Sequence, residues 1–231
     1  MSRIALLCPE PLGHGQPAGV GIRFIEMARV LIGAGHDVDV MSPDGGSPSG
    51  GRGVPLSPRA IGEVTAASDA VVAQGHVVND FITFGADRPL VVDLYDPFIV
   101  ENFHYWKERG SRVFEHDHET LFRSLRRGDF FLCASESQRL FYLGALLGAG
   151  RIEPDTFHDD PTLRGLIRIA PFGVPPPRRA PSTKVRSPHL FFGGIYDWYD
   201  PFLAIDAVAA ARRRREDLTL TFTYHPNAAT T

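Results

Sequence analysis

The chain has 231 residues, 43% of them hydrophobic, and 24 Lys and Arg against 27 Asp and Glu give it a net charge of −3. This length and apolar content suffice for a sizeable buried core, and the absence of a basic excess argues against a dedicated nucleic-acid binder. The two cysteines have no paired spacing, which argues against a disulfide framework and favours a reducing, cytoplasmic setting. No apolar run reaches the roughly 18 residues of a membrane span, so we do not expect an integral membrane protein.

Short apolar runs alternate with amphipathic stretches, which is the pattern of a parallel sheet covered by helices. We predict strands at residues 4–8, 38–41, 70–73, 90–94, 130–134 and 167–170, and helices at residues 21–34, 57–67, 96–106, 112–127 and 135–148. Ser57, Asp96 and Ser135 stand at helix starts, where their side chains are predicted to cap the first turn. Gly35 follows the first helix as a left-handed cap, and the Gly-, Pro- and Ser-rich residues 42–56 predict a mobile loop.

The composition divides the chain into three parts. Residues 1–171 predict an α/β domain with a Rossmann-like, doubly wound parallel sheet, and the proline-rich residues 172–188 predict an inter-domain linker. Residues 189–231 begin a second, incomplete βαβ unit, with strands at 190–192 and 218–224 and a helix at 201–215. Such a piece cannot bury both faces of a parallel sheet alone. We therefore expect a first domain followed by the truncated opening of a second.

A glycine loop joins the first strand to its helix, where open α/β folds bind anions. Gly13, Gly15 and Ala18 match the relaxed dinucleotide fingerprint, but four residues separate the strand from Gly13. The fingerprint requires the turn directly after the strand. A nicotinamide- or flavin-dependent oxidoreductase is therefore an alternative and not the leading hypothesis.

A second glycine pair, Gly19 and Gly21, lies directly at the helix start and is followed by Arg23. Glycines let a ligand approach the backbone, and an arginine there adds positive charge. These residues predict an anion site, and the alternative is an ordinary flexible turn with a solvated arginine.

Residues 19–38 resemble the N-terminal motif of family-4 glycosyltransferases of the GT-B fold. The residues that carry the resemblance are Gly19, Gly21, Arg23, Glu26, Ala28, Arg29, Leu31, Gly35, His36 and Val38. Residues 131–139, 171–174 and 192–201 are similar to later segments of that family, in the right order, so the similarity covers nearly the whole chain.

The resemblance implies two Rossmann-like domains across a cleft, the first binding the acceptor and the second the nucleotide-sugar donor. It implies transfer of a sugar to an acceptor hydroxyl with retained anomeric configuration, without a cofactor or an essential metal. Gly19, Gly21 and Arg23 would face the donor diphosphate from one side, and Gly193 and Gly194 from the other. Residues 192–201 resemble a bacterial subgroup of the family that acts on saccharide or glycolipid acceptors in surface polysaccharide or lipopolysaccharide assembly. The resemblance therefore implies a cytoplasmic enzyme that contacts the inner membrane peripherally through the arginines at 212–215.

Two departures from the family pattern matter. Tyr95 stands where the family commonly has a histidine at the end of a central strand, which leaves that role open. The family's paired glutamates and phosphate-binding basic residues would lie beyond Thr231. The chain as given is therefore expected to be inactive, and a non-catalytic carbohydrate-binding module is a further alternative.

Polar side chains at predicted strand ends are the catalytic and acceptor-binding candidates, because ligands collect at that edge of an open α/β sheet. His76 and Asp96 are candidates for both roles, and Tyr95 and Glu101 for acceptor binding. The alternatives are a structural histidine at 76, a helix cap at 96 and a solvated face for Glu101, His104 and Tyr105.

Two further groups are weighed against simpler roles. His116 and His118 lie two residues apart, on different faces of a helix, so no metal site is expected. Trp198 and Tyr199 either stack on a base or sugar or pack at the domain junction.

Overall fold

The computed structural model describes residues 1–13, 17–173, 188–193 and 199–223. The chain divides into two compact units, Met1–Val174 and Pro175–Thr231.

The first unit is built on a seven-stranded sheet. Its strands are β1 (Arg3–Leu7), β2 (Asp37–Ser42), β3 (Arg52–Pro55), β4 (Ala70–Ala73), β5 (Leu90–Asp93), β6 (Phe130–Cys133) and β7 (Ile167–Ile169). Every neighbouring pair is parallel, in the order β3-β2-β1-β4-β5-β6-β7. The chain order reverses between β1 and β4, so this is a doubly wound sheet with its switch point there. The predicted α/β fold class is confirmed.

Helices connect these strands, except that a loop joins β2 to β3. They are α1 (Gly19–Gly33), α2 (Pro58–Ala66), α3 (Val77–Phe84), α4 (Phe98–Glu101), α5 (Trp106–Arg109), α6 (Ser111–Arg127), α7 (Glu136–Gly148) and α8 (Pro154–Asp159), with a 3₁₀ helix over Asn102–Tyr105. Ser57 and Ser135 accept hydrogen bonds from the amides of Ala60 and Gln138, which confirms both predicted caps. Gly35 has φ +86°, as its predicted left-handed position requires.

The sheet is buried on both faces because its central strands are apolar at successive positions. Leu6 and Val72 pack with Phe24 of α1 on one face. Val71 on the other face belongs to the core that α2, α3, α6 and α7 complete, with Phe81 as one of its largest members. This arrangement explains why β1 and β4 have no polar alternation.

Three sequence expectations need correction. Residues 42–56 contain an edge strand, β3, which pairs with β2 and is held by an ion pair of Arg52 with Asp39 at 2.5 Å. The predicted helix 96–106 is divided into α4, the 3₁₀ helix and α5. Asp96 does not cap it, because α4 begins after Pro97 without a side-chain cap. The sequence analysis also missed α3 and α8.

The second unit contains a two-stranded parallel sheet, β8 (His189–Phe192) and β9 (Thr219–Phe222), and one helix, α9 (Pro201–Arg212), among its described residues. Asp200 caps α9 by accepting a hydrogen bond from the Leu203 amide at 2.9 Å. Phe202 and Leu203 on α9 are 75% and 66% exposed. Within the described parts of the chain, no helix combines the length and the apolar character needed to cross a membrane.

Candidate active site

The predicted site residues of the first unit gather where β4 and β5 end and α1 begins. Tyr95, Asp96 and Glu101 follow β5, and His76 follows β4. This edge lies beside the switch point between β1 and β4, the position at which doubly wound sheets bind ligands.

Arg23 lies beneath this edge in a buried ion pair. Its Nε and Nη2 donate to the two carboxylate oxygens of Asp93 at 2.6 and 2.9 Å, and its Nη1 donates to the Ala170 carbonyl at 2.8 Å. Burial raises the pKa of Asp93, and the hydrogen bonds and charge of Arg23 oppose that shift. Arg23 therefore joins α1 to the ends of β5 and β7. This position differs from both sequence interpretations, an arginine facing phosphate and a solvated one.

Tyr95 forms the surface above that pair. The Arg23 guanidinium lies 5.2 Å from the centre of its ring, and the Phe172 ring lies 5.3 Å away on a tilted plane. Gln138 donates to the Tyr95 carbonyl at 2.8 Å while accepting from the Ala134 amide at 2.7 Å. A Cβ at Gly19 would meet the Tyr95 hydroxyl at 3.1 Å, so this glycine allows the tyrosine to lie against α1.

The amino terminus of α1 already holds a carboxylate. Glu10 Oε2 accepts a hydrogen bond from the Gly21 amide at 2.8 Å, and a Cβ at Gly21 would meet the same oxygen at 2.8 Å. A helix amino terminus favours negative charge, and here the protein's own side chain supplies it. This contact argues against a donor phosphate at Gly21 in the conformation described.

The loop before α1 is also bound by an internal carboxylate. Asp44 accepts from the Leu12 amide at 3.0 Å and from the Gly13 amide at 2.7 Å. Burial of Asp44 opposes ionisation, but the amides of Leu12, Gly46 and Gly13 outweigh it and hold its pKa well below the usual range. The Gly13 amide is thus not available to a dinucleotide, and Gly15 lies outside the described residues.

Asp96 and Glu101 form a carboxyl pair at the end of β5. Burial of Asp96, the charge of Glu101 and the hydrogen bond between the two side chains raise the pKa of Asp96 to about 7. Glu10 and Asp93 add further negative charge. A carboxyl with such a pKa exchanges its proton near neutral pH, and it can donate a hydrogen bond to a ligand or accept one from it.

His76 faces a second carboxylate. Its Nε2 lies 3.5 Å from Asp117 Oδ1, and Asp117 is almost fully buried and accepts a hydrogen bond from Asn102 at 2.7 Å. The His76 ring stacks on His116 with centroids 5.2 Å apart and lies 5.4 Å from Phe98, and its side chain is 51% exposed. His76 therefore has an accessible imidazole next to a buried carboxylate.

His118 and the candidates of the second unit make other contacts. His118 packs on Phe122 and not on His116, which confirms that the two histidines use different helix faces. The described residues include no group of three or more His, Cys, Asp or Glu side chains placed to hold a metal. In the second unit, Gly193 is exposed after β8, and Tyr199 packs edge-on to Phe192 at 5.8 Å. Gly194 and Trp198 lie outside the described residues.

Sequence reasoning missed Glu10 and Asp117. Glu10 follows the predicted strand 4–8 by two residues and contacts Gly21 of the next helix, whereas Asp117 lies on a helix and contacts a residue distant in sequence. A carboxylate shortly before a helix rich in amino-terminal glycines was the available signal for Glu10.

Comparisons with known proteins identify the fold. No protein-family model matches this sequence, and no curated protein matches it. Among solved structures, the calicheamicin glycosyltransferase CalG4 is similar, with 13% identity, a TM-score of 0.48 and coverage of 99% of this chain and 67% of that one. The glycotransferase of kitacinnamycin has 11% identity, a TM-score of 0.50 and coverage of 96% and 65%.

The second of these structures and the sheet topology define the fold. The chain has the fold of GT-B glycosyltransferases. At 11% identity, the similarity shows the fold but does not show that the chain belongs to family 4. The chain spans about two thirds of the length of both proteins, at 67% and 65%.

Proposed function

We propose that this chain is the acceptor-binding part of a glycosyltransferase that moves a sugar from a nucleotide-sugar to an acceptor hydroxyl. The observation that carries the proposal is the His76–Asp117 pair at the ligand-binding edge of a GT-B-type sheet. The Asp96–Glu101 carboxyl pair at the next strand end supports it, because carboxylates bind sugar hydroxyls by accepting their hydrogen bonds.

His76 acts as the general base in this proposal. The acceptor oxygen bonds to the anomeric carbon as the bond from that carbon to the phosphate oxygen breaks. The acceptor proton passes to His76, and the electron pair leaves with the nucleoside diphosphate. Asp117, 3.5 Å from the imidazole, would act as its positioning residue, which is the usual role of a carboxylate beside a catalytic histidine.

The stereochemistry separates two mechanisms. Proton transfer to a side-chain base suits a single displacement, which inverts the anomeric configuration. The family-4 resemblance implies retention, in which the leaving phosphate can accept the proton. The configuration of the product therefore tests His76 as the base.

Acceptor recognition in this proposal involves Tyr95, Asp96 and Glu101, which present an aromatic ring and two carboxyl groups. Because Glu10 holds the Gly21 amide, we assign donor binding to the second unit, where Gly193 follows β8. Gly19 and Gly21 then shape the packing around Tyr95 and Glu10 instead of binding the diphosphate.

The finer biological assignment rests on the resemblance alone. We propose a saccharide or lipid-linked acceptor in bacterial surface polysaccharide assembly, at the cytoplasmic side of the inner membrane, without an essential metal. Of the arginines at 212–215, the described side chains of Arg212, Arg213 and Arg214 are exposed and are available for contact with anionic lipid.

The test uses the complete polypeptide that the gene encodes, a panel of nucleotide-sugars and saccharide acceptors, and product detection by mass spectrometry. His76→Ala should lower kcat by about 10²–10⁴-fold, and Asp117→Asn should lower it less. His158→Ala, which changes an exposed histidine on α8, is the matched control and should retain activity. Nuclear magnetic resonance of the product gives its anomeric configuration.

Three outcomes would contradict the proposal. Unchanged turnover in His76→Ala would remove the histidine from the mechanism. Acceptor binding without turnover of any donor would indicate a carbohydrate-binding module. Binding of NADH, with no response to nucleotide-sugars, would indicate the oxidoreductase alternative.

A further inference from the structure

The two carboxylate oxygens of Asp117 face different partners. Oδ1 lies 3.5 Å from Nε2 of His76, and Oδ2 accepts a hydrogen bond from Nδ2 of Asn102 at 2.7 Å. Asp117 is only 2% exposed, and a carboxylate buried to this degree is costly unless it is hydrogen-bonded. A donor on one oxygen also fixes the direction in which the other oxygen points. The Asn102 amide therefore sets how Asp117 presents Oδ1 to the imidazole.

Asn102 lies where α4 ends and the 3₁₀ helix begins, and apolar contacts with the rest of the unit hold this segment in place. Ile99 of α4 is buried in the core. The Phe103 ring stacks on that of Phe114 in α6, with centroids 5.6 Å apart. Phe114 and Asp117 are three positions apart on α6 and so share one face of that helix. Contacts on both sides of Asn102 thus bring its amide onto Asp117.

Two further rings hold the plane of the His76 imidazole. His116 of α6 stacks on it with centroids 5.2 Å apart and planes 6° from parallel, and Phe98 of α4 lies 5.4 Å away. These contacts do not distinguish the two ring nitrogens, but Asp117 does. A carboxylate accepts hydrogen bonds and does not donate them, so the nitrogen that faces it carries the proton of a neutral imidazole. His76 presents Nε2 to Asp117, which leaves the lone pair on Nδ1.

We propose, resting on the function proposed above, that Asn102 is a positioning residue for His76 and that Nδ1 of His76 takes the acceptor proton. The proton of the acceptor hydroxyl moves to Nδ1 while Nε2 keeps its own. The electron pair of the broken bond between the sugar and the phosphate leaves with the nucleoside diphosphate. The distance of 3.5 Å between Nε2 and Oδ1 is at the long limit of a hydrogen bond, and catalytic contacts are often longer before substrate binds.

Nuclear magnetic resonance of the complete polypeptide, with isotope-labelled histidine, tests this arrangement without any turnover. At about pH 9 a histidine is ordinarily neutral, and a ring fixed in one tautomer gives two well-separated nitrogen signals. His76 should show this separation with the proton on Nε2, and loss of the signals in His76→Gln identifies them. Asn102→Leu keeps a similar volume but removes the donor, so the two tautomers should exchange and the separation should narrow. An unchanged separation overturns the proposal, as does a native ring protonated on Nδ1.

Asn79→Leu is the matched control. The Asn79 side chain on α3 donates to the Thr120 hydroxyl on α6 at 2.8 Å, so it joins the helix that follows His76 to the helix that carries Asp117. Its loss disturbs the packing of these helices but removes no donor from Asp117, and the His76 signals should keep their separation. Narrowing in this control as well would assign the orientation of the ring to helix packing and overturn the role of Asn102. Asn102→Ala also removes the donor, should act like Asn102→Leu, and replaces it if the leucine variant does not fold.

Turnover distinguishes a positioning role from a purely structural one. Asn102→Leu should lower kcat about tenfold with little change in KM, because the amide acts through Asp117 and not on the acceptor. In an Asp117→Asn background the same change should have almost no further effect, whereas independent effects would multiply and overturn the proposal. If His76→Ala loses turnover and Asn102→Leu does not, the role of Asn102 is wrong and the proposed function stands. If His76→Ala keeps full turnover, the proposed function fails and the catalytic role of Nδ1 fails with it.

Discussion

Replacing Asp96 with asparagine should stabilise the protein above neutral pH and leave its stability near pH 4 almost unchanged. Burial and then the charge of Glu101 raise the pKa of Asp96 to about 7, against an ordinary value of 3.8. Between these two values the unfolded chain has released a proton that the native state keeps. The free energy of unfolding therefore falls as the pH rises through this window. Asparagine has no such proton and removes this decline.

The pKa difference sets an upper limit of about 4 kcal/mol on the effect at pH 8. Glu101 is exposed and solvent screens its charge, so we expect about 2 kcal/mol. Urea denaturation followed by circular dichroism, at intervals from pH 4 to pH 8, measures it as a difference between Asp96→Asn and the unaltered protein. Asp159→Asn, on exposed α8, is the control and should show no such pH dependence. If Asp96→Asn is the less stable protein at pH 8, the carboxyl is stabilised as an anion and our interpretation of the pair is wrong.

Two further predictions concern stability. Arg23→Met leaves Asp93 buried without its partner and should lower the free energy of unfolding by about 3–5 kcal/mol at pH 7. Arg59→Met, in an exposed pair, should leave it almost unchanged, and equal losses would contradict the role of burial. Gly21→Ala should destabilise the protein by about 1–2 kcal/mol, because its Cβ would lie 2.7 Å from a proline side chain. Gly33→Ala on the same helix has open space and should stabilise it by up to about 1 kcal/mol. Thermal unfolding measures both glycine variants, and a stabilised Gly21→Ala would contradict the clash.

The sequence predicted those elements that a local run of apolar residues or a local helix cap specifies. The central strands β1 and β4 have uninterrupted apolar residues, and the caps at Ser57 and Ser135 depend on contacts within four residues. The edge strand β3 reads as a loop because its four residues include a glycine and a proline, and only Val54 packs against the core. Local patterns therefore identify the centre of this sheet better than its edge.

The sequence predicted where the candidate-site residues lie on the sheet, but not which side chains contact one another. His76 and Asp96 follow strands, so their place at the ligand-binding edge could be inferred from strand prediction alone. Asp117 approaches His76 from a helix 41 positions later, and Arg23 finds Asp93 at a separation of 70 residues. Which carboxylate faces which base depends on how helices pack on the sheet, and no spacing in the sequence encodes that.

The parallel sheet also constrains how the chain folds during synthesis. Strand β1 lies inside the sheet, and one of its partners is β4, with Ile4 paired to Ala70. Its other partner, β2, begins only at Asp37, after α1. No hairpin can form early, because parallel strands need a long crossover. While a ribosome makes this chain, the first strand must wait for about 70 residues before its second neighbour emerges. We expect slow folding dominated by distant contacts, and nascent chains that depend on chaperones until β4 has left the exit tunnel.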